Sequence, residues 1–342
     1  MSTVLVTGGS GFVGSRVILK LLEDGHRVRS TVRSDGKQAT LHAMLRNGGR
    51  QSDEDVQILH ADLSDDRGWD SAVSGCDYVL HIASPFPPGI PKDENDLIVP
   101  ARDGALRVLR AARNAGVKRV VLTSSFAAIG YGHGKVDTVF NEEDWTDLTG
   151  PHVQPYIKSK TVAERAAWDF VEREGGRLEL SVINPVGIFG PVLGPDLSSS
   201  IKIIKGLLEG MPAVPRIYFS IVDVRDLAQL QVKAMLADVA KGERFLAVGN
   251  GVVSLLDVAT MLRRHLGASA SRVPTRQFPD WLLHLMAPFN PQAKAALPQL
   301  GIIRSSTSDK AHRLLDWTPR PYDETLTDTA ESLLRFGIVK AR

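Results

Sequence analysis

Tyr156 and Lys160 stand four residues apart in Pro155-Tyr156-Ile157-Lys158-Ser159-Lys160. Pro155 suits the first turn of a helix, and at 3.6 residues per turn the two side chains share one face. The chemistry this pair offers is proton transfer. A free phenol ionises near pH 10 and exchanges protons poorly at neutrality. An ammonium one turn away stabilises phenolate, so it is expected to lower that value. A hydroxyl beside Tyr156 can donate to the same substrate carbonyl oxygen. Lys118-Arg119-Val120-Val121-Leu122-Thr123-Ser124-Ser125 ends in two such hydroxyls. Ser125 is the preferred catalytic residue and Ser124 stays open as the alternative, since either can instead satisfy backbone groups at a strand end. A tyrosine and a lysine at this spacing are common on solvated helices, so their meaning depends on the rest of the chain.

The rest of the chain supplies a phosphate cradle. Thr7-Gly8-Gly9-Ser10-Gly11-Phe12-Val13-Gly14 places Gly8, Gly11 and Gly14 at three-residue intervals, after a strand-like run and before a helical pattern. Glycines there make a tight turn, admit a pyrophosphate close to the backbone and allow close helix–strand packing. The new helix turns free N–H groups and its positive dipole end toward the phosphates. Sites for the unphosphorylated dinucleotide usually carry an acid about 20 residues on, to hold the ribose 2′-hydroxyl. Here the second strand reads Arg27-Val28-Arg29-Ser30-Thr31-Val32-Arg33-Ser34, with no acid before Asp35. A guanidinium at that tip offers a two-point fork to a 2′-phosphate. Arg33, with Ser34 and Lys37, therefore predicts NADP(H) as cofactor.

These groups need a scaffold. Strands are expected at Thr3–Thr7, Arg27–Val32, Val56–His60, Tyr78–Ala83 and Lys118–Thr123, with helices at Phe12–Asp24, Gln38–Arg46, Gly68–Ser74 and Asp93–Asn114. Alternation of this kind predicts an α/β fold, a doubly wound parallel sheet with helices on both faces. The near-continuous apolar runs fit strands buried on both sides. Helix Tyr156–Glu174, strand Leu178–Asn184, helix Val224–Ala237, strand Phe245–Val248 and a closing helix Thr325–Phe336 follow. Gly187, Gly190, Pro191, Gly194 and Pro195 crowd one window, read as loop, and Ser269–Thr307 is read as loop-rich. The expected division is a dinucleotide-binding domain over 1–185 and a smaller substrate lobe over 186–342, with the strand near 245–248 returning to the main sheet.

Composition narrows the class. The 342 residues are 43% hydrophobic and 23% charged, an ordinary globular mixture. One cysteine, Cys76, excludes a disulfide-stapled scaffold. A net charge of +2, from 41 basic and 39 acidic residues, gives no sign of a nucleic-acid partner. There is no uncharged apolar run of membrane-spanning length, and the immediate entry into a strand leaves no room for a signal peptide. The expectation is a cytoplasmic protein. Nine histidines are scattered without metal-ligand spacing, so no metal is expected. His81 reads as a satisfied core residue. Arg102, Arg107, Arg110, Arg113, Lys118 and Arg119 read as a solvated basic face.

The motifs together resemble the extended short-chain dehydrogenases/reductases, within the branch of dihydroflavonol reductases and methylglyoxal-type aldehyde and ketone reductases. The resemblance rests on Thr7–Gly14, Val28–Arg33, Ala61-Asp62-Leu63, His81–Pro85, Val120–Ser125, Asn141–Trp145, Tyr156–Trp168 and Asn184–Pro191, in that order over roughly residues 3–195. The later half matches loosely. It implies a Rossmann fold, NADP(H) and a small carbonyl or alcohol as partner, in a monomer or homodimer. It implies that Phe12 and Val13 offer backbone to the pyrophosphate, Arg33 takes the 2′-phosphate, and Asp62 and Leu63 border the adenine. Ile82, Ala83 and Ser84 would line the cofactor near its ribose, with Thr123 a further contact. Lys160 would hold the nicotinamide ribose, Pro185 and Ile188 would press on the nicotinamide, and Ser198 and Ser199 would touch the pyrophosphate from the far side. Tyr156 would donate the proton.

Phe86, Phe126, Tyr131, Phe189, Tyr218 and Trp281 are candidates for a substrate pocket. Phe126–Thr138 does not reproduce the substrate loop of plant flavonoid reductases. The reaction expected is NADPH-dependent reduction of an aldehyde or ketone, reversible as an alcohol dehydrogenase. A hydroxysteroid-type dehydrogenase or a nucleotide-sugar epimerase/dehydratase is the second enzyme reading; Arg33 opposes the latter, which retains NAD. An NADPH-sensing binding protein needs the glycine loop but neither the hydroxyls nor the tyrosine–lysine pair.

Overall fold

Val4, Leu5 and Val6 are each completely shielded from solvent, although successive side chains of a strand point to opposite faces. Their strand must therefore be covered on both sides. The computed structural model describes residues 1–50, 52, 56–85, 91–134, 138–195 and 197–340. Its first part runs β1 (Thr3–Thr7), α1 (Phe12–Glu23), β2 (Arg27–Val32), α2 (Asp35–Asn47), β3 (Val56–His60), α3 (Trp69–Val73), β4 (Tyr78–His81), α4 (Asn95–Asn114) and β5 (Arg119–Thr123). There follow β6 (Val139–Phe140), α5 (Pro155–Glu174), β7 (Glu179–Pro185), β8 (Gly187–Phe189), α6 (Ser199–Glu209), β9 (Tyr218–Asp223) and α7 (Val224–Leu236). After β10 (Arg244–Ala247), β11 (Val252–Ser254) and α8 (Leu255–Leu266) come short helices and a closing helix, Tyr322–Arg335.

Seven strands form one parallel sheet in the order β10-β7-β5-β4-β1-β2-β3. Val4, Val6, Leu80, Val121 and Phe245 pack on one side with Val17, Ile18 and Leu21 of α1 and Leu227 and Leu230 of α7. Leu5, Val79, Val120 and Val182 pack on the other with Trp69, Val108, Leu109, Ala167 and Phe170. The chain winds outward from β1 through β2 and β3, then returns to β4 on the opposite flank of β1. The strand order reverses there, and in open α/β sheets the crevice beyond such a switch point is where ligands bind.

The later segments build a second core. Ile201, Ile204 and Leu208 of α6 meet Val258 and Leu262 of α8 and Leu326 and Leu333 of the closing helix. This layer includes a small sheet, β11-β9-β8. Three sequence expectations change here. Gly187–Phe189, read as loop, is a strand paired in parallel with Ile221–Asp223. Tyr218–Asp223 and the helices Ser199–Glu209 and Leu255–Leu266 were not foreseen. Within the loop-rich stretch, Asp280–Met286 and Pro291–Ala296 are helical.

Two further expectations change in the main sheet. β4 ends at His81 rather than Ala83, because the amides of Ile82 and Ala83 both donate to Thr7 Oγ1, at 3.0 Å each, instead of to a neighbouring strand. Arg119 is no part of a solvated face. It is fully buried, forked on Glu179 and donating to the carbonyls of Ala234, Met235 and Ala237 at the end of α7.

Candidate active site

A cavity of about 690 Å³ opens beyond the C-terminal ends of β1, β4, β5 and β7. Gly8, Gly11, Phe12, Val13 and Gly14 form its floor at the start of α1. The sequence folds tightly here for a reason that can be measured. Gly8 has φ of +71°, and a β-carbon on Gly14 would lie 2.3 Å from the Gly8 carbonyl oxygen. No other residue type fits Gly14 without moving the loop, and the loop leaves the first amides of α1 unpaired toward the cavity. This is the cradle a pyrophosphate requires.

Arg33 and Lys37 line one end of the cavity, with Asp62 and Leu63 beside them. The Arg33 side chain is exposed. The Asp62 carboxylate is committed to its own turn, accepting from the Ser64 amide at 2.8 Å and the Ser64 hydroxyl at 2.6 Å. Those bonds, with Arg33 a smaller contributor, hold it below the usual carboxylate range. The loop is braced by Trp69, whose indole N–H donates to the carbonyls of Asp62 and Asp65. Thr31, Val32, Ser64, Trp69 and Pro100 also line this region and were missed. Ser64, Trp69 and Pro100 carry no motif and are brought in by the fold, whereas Thr31 and Val32 belong to the second-strand motif and stand just before Arg33.

Ile82, Ala83, Ser84, Thr123, Pro185 and Ile188 form the middle of the wall, and Ser198 and Ser199 close it from α6. Ser198 caps that helix, its Oγ accepting from the Ile201 amide. Thr7 Oγ1 fixes the Ile82–Ala83 segment from below.

Ser125, Tyr156 and Lys160 meet at the inner end. The Ser125 hydroxyl bears on the Tyr156 phenol and favours its ionised form. Ser125 Oγ also accepts from the Ala127 amide at 3.1 Å, which leaves its proton free to be donated. Ser124 does something else: it is buried, and its hydroxyl donates to the Glu164 carboxylate. Lys160 Nζ lies 5.9 Å from the centre of the Tyr156 ring and donates to Ser84 Oγ at 3.0 Å. The expected lowering of the Tyr156 pKa is reversed. Burial pushes the phenol up, and the Ser125 hydroxyl opposes this in part. Burial also pushes Lys160 down to about 8, with Glu164 acting the other way. His81, fully buried, is pushed down to about 3, chiefly by burial and secondarily by Lys160.

The aromatic candidates separate. Phe189 does not face the cavity: it is buried in the second core and stacked on Phe219 at 5.7 Å. Phe126, buried, packs edge-on against Tyr131 and Phe140 just beyond Ser125. Tyr131 and Tyr218 are half-buried and outside the cavity lining, and Trp281 is exposed on a short helix. Phe86 lies outside the described residues. Among the described residues there is no cluster of three metal-ligating side chains, and no helix is long and apolar enough to cross a membrane.

The sequence profile of the NAD dependent epimerase/dehydratase family matches residues 4–248. The chain belongs to that family. Within the family it is 36% identical over 238 residues to a cinnamoyl-CoA reductase of Medicago truncatula, covering 68% of this chain and 72% of the relative. It is 34% identical over 292 residues to a putative NADPH-dependent methylglyoxal reductase of Candida albicans, covering 80% and 85%. The crystal structure of yeast methylglyoxal/isovaleraldehyde reductase Gre2 complexed with NADPH superposes with a TM-score of 0.81 at 28% identity, over 98% of this chain and 99% of that one.

Proposed function

We propose that this protein is an NADPH-dependent reductase of aldehydes or ketones, able to run in reverse as an alcohol dehydrogenase. The observation that carries the reading is the meeting of Ser125, Tyr156 and Lys160 at the inner end of a cavity that begins on the glycine loop. Arg33 at the far end supports the 2′-phosphorylated cofactor, since a guanidinium there welcomes the charge an acid would repel. Relatives named as NADPH-dependent methylglyoxal reductases point the same way.

Glycines 8, 11 and 14 and the amides of α1 hold the pyrophosphate, Arg33 and Lys37 the 2′-phosphate, and Asp62 and Leu63 border the adenine. When bound, NADPH supplies hydride to the carbonyl carbon. Tyr156 and Ser125 hold the carbonyl oxygen between two donors, and Tyr156 gives up its proton to the forming alkoxide. A phenol kept protonated by burial suits this direction. Lys160 neutralises the phenolate left behind and holds the ribose. Residues 1–185 act as the cofactor domain, and the layer built from later segments as the substrate lobe.

The test is direct. Absorbance of NADPH, and separately of NADH, is followed against a panel of aryl ketones, α-ketoesters and aldehydes. Turnover with NADPH well above that with NADH is expected on at least one class. A panel with no turnover from either cofactor would refute the reading.

A further inference from the structure

Glu164 lies on α5, four residues beyond Lys160 and eight beyond Tyr156, and is 1% exposed. In sequence it looks like any helix acid. In the fold it is the centre of a buried network. Ser124 Oγ donates to its carboxylate from the end of β5. Asn184 Nδ2 donates to it at 2.7 Å from β7. Arg244 Nε donates to it at 2.6 Å from β10. Asn184 Nδ2 also reaches the Ser125 carbonyl at 3.2 Å. Arg244 is held in turn by the carbonyls of Glu142 and Asp144, and its guanidinium lies 3.8 Å from the centre of the Trp145 ring.

We propose that Glu164 is a positioning residue of the reaction centre: its carboxylate fixes the strand ends that carry Ser125 and Pro185 relative to α5. This rests on the catalytic roles proposed above. Ser125 is placed through the segment Ser124–Ser125 and through Asn184, and both are anchored on one carboxylate. Tyr156 and Lys160 are on the same helix as that carboxylate. The donors and the proton carrier are thus referenced to one buried point. A misplacement of about 1 Å at such a centre costs on the order of 10²-fold in rate.

The chemistry of the network requires a carboxylate. An amide whose oxygen accepted from Ser124 and Asn184 would turn its NH₂ onto the Arg244 N–H, donor against donor. The charge also bears on Lys160. Lys160 is faced by Tyr156 and Glu164 from its own helix and by the uncharged His81 from β4, with Arg244 beyond Glu164. Glu164 is the acid raising the lysine against its burial.

The test uses the full-length protein with Glu164→Gln and Glu164→Asp, each checked for folding by NADPH binding and thermal melting. Lys160 is titrated by NMR on protein carrying isotopically labelled lysine, its signal assigned by its loss in Lys160→Ala. Glu164→Gln is expected to lower the Lys160 midpoint by about one pH unit. Glu164→Asp keeps the charge but falls one methylene short; it should leave the midpoint near the wild-type value and cut kcat about 100-fold, with KM changed only a few-fold. A folded Glu164→Gln protein with wild-type kcat and an unshifted Lys160 midpoint, or a folded Glu164→Asp protein with wild-type kcat, overturns the proposal. If Glu164→Gln does not fold, Glu164→Asp decides alone. Wild-type protein that reduces no carbonyl would fail the reductase reading instead, while the Lys160 titration would still report on Glu164.

Discussion

Thr7 Oγ1 lies 2.8 Å from His81 Nδ1, across the two strands where the order of the sheet reverses. The same oxygen accepts from the amides of Ile82 and Ala83. Both of its lone pairs are taken, so its proton goes to Nδ1 and the imidazole is neutral with hydrogen on Nε2. Thr7→Val would strand two amides and a ring nitrogen. A cost of about 1–3 kcal/mol is expected from the unsatisfied groups, seen in urea unfolding, together with weaker NADPH binding because the cavity wall loses its anchor.

The same pair sets a pH dependence. His81 has its pKa lowered from 6.5 to about 3 by folding. Between those values the unfolded chain binds a proton that the folded protein refuses. The stabilisation is therefore present above pH 6.5 and is lost as pH falls toward 3. Its slope approaches about 1.4 kcal/mol per pH unit. His81→Asn keeps an acceptor for Thr7 and should flatten that part of the stability–pH curve. An unchanged slope would assign it to other groups.

Ser125 and Ser124 are separable by mutation. Ser125→Ala removes one of two donors to the developing alkoxide, and a loss of about 10²–10³ in kcat is expected, with NADPH affinity preserved. Equal affinity and equal kcat would return Ser125 to a purely capping role at the turn it already makes with Ala127.

Tyr156→Phe should reduce carbonyl turnover about 10²–10⁴-fold, the span of general acid catalysis, without disturbing NADPH binding. Lys160→Ala should lower cofactor affinity and turnover together. With the phenol pushed up by burial, alcohol oxidation should favour alkaline pH, and in Lys160→Ala it should shift further in that direction. Near-normal turnover in Tyr156→Phe would remove the mechanism.

Arg33→Ala should weaken NADPH by about 10–150-fold, the worth of a charged hydrogen-bond partner at 1.5–3 kcal/mol, and leave NADH almost unchanged. Fluorescence titration with both cofactors measures this. Parallel weakening would show that Arg33 does not meet the 2′-phosphate.

Much of this site is legible in the sequence because its requirements are local. A loop that needs φ of +71° at Gly8 and no β-carbon at Gly14 writes itself as glycine. Strands buried on both faces write themselves as Val4-Leu5-Val6. The second sheet is not legible, because Gly187–Phe189 becomes a strand only through its pairing with Ile221–Asp223, more than thirty residues on. Glu164 is hidden for the same reason. Its burial is decided by Arg244, 80 residues away. The reversed Tyr156 pKa is hidden because helix spacing gives the neighbour and not the dielectric around it. Arg119 looked solvated because a charged strand residue reveals its carbonyl partners only when α7 is in place.

The last strand of the main sheet, β10, carries a consequence for synthesis. A nascent chain that has emerged as far as Pro185 already holds the glycine loop, Tyr156, Lys160 and both serines. It lacks Arg244, and with it the counter-charge for Glu164 and the partner strand of β7. The carboxylate network and the outer edge of β7 are therefore completed only by residues 244–247. A chain lacking β10 would leave β7 as an open strand edge, the kind of exposure that aggregation exploits.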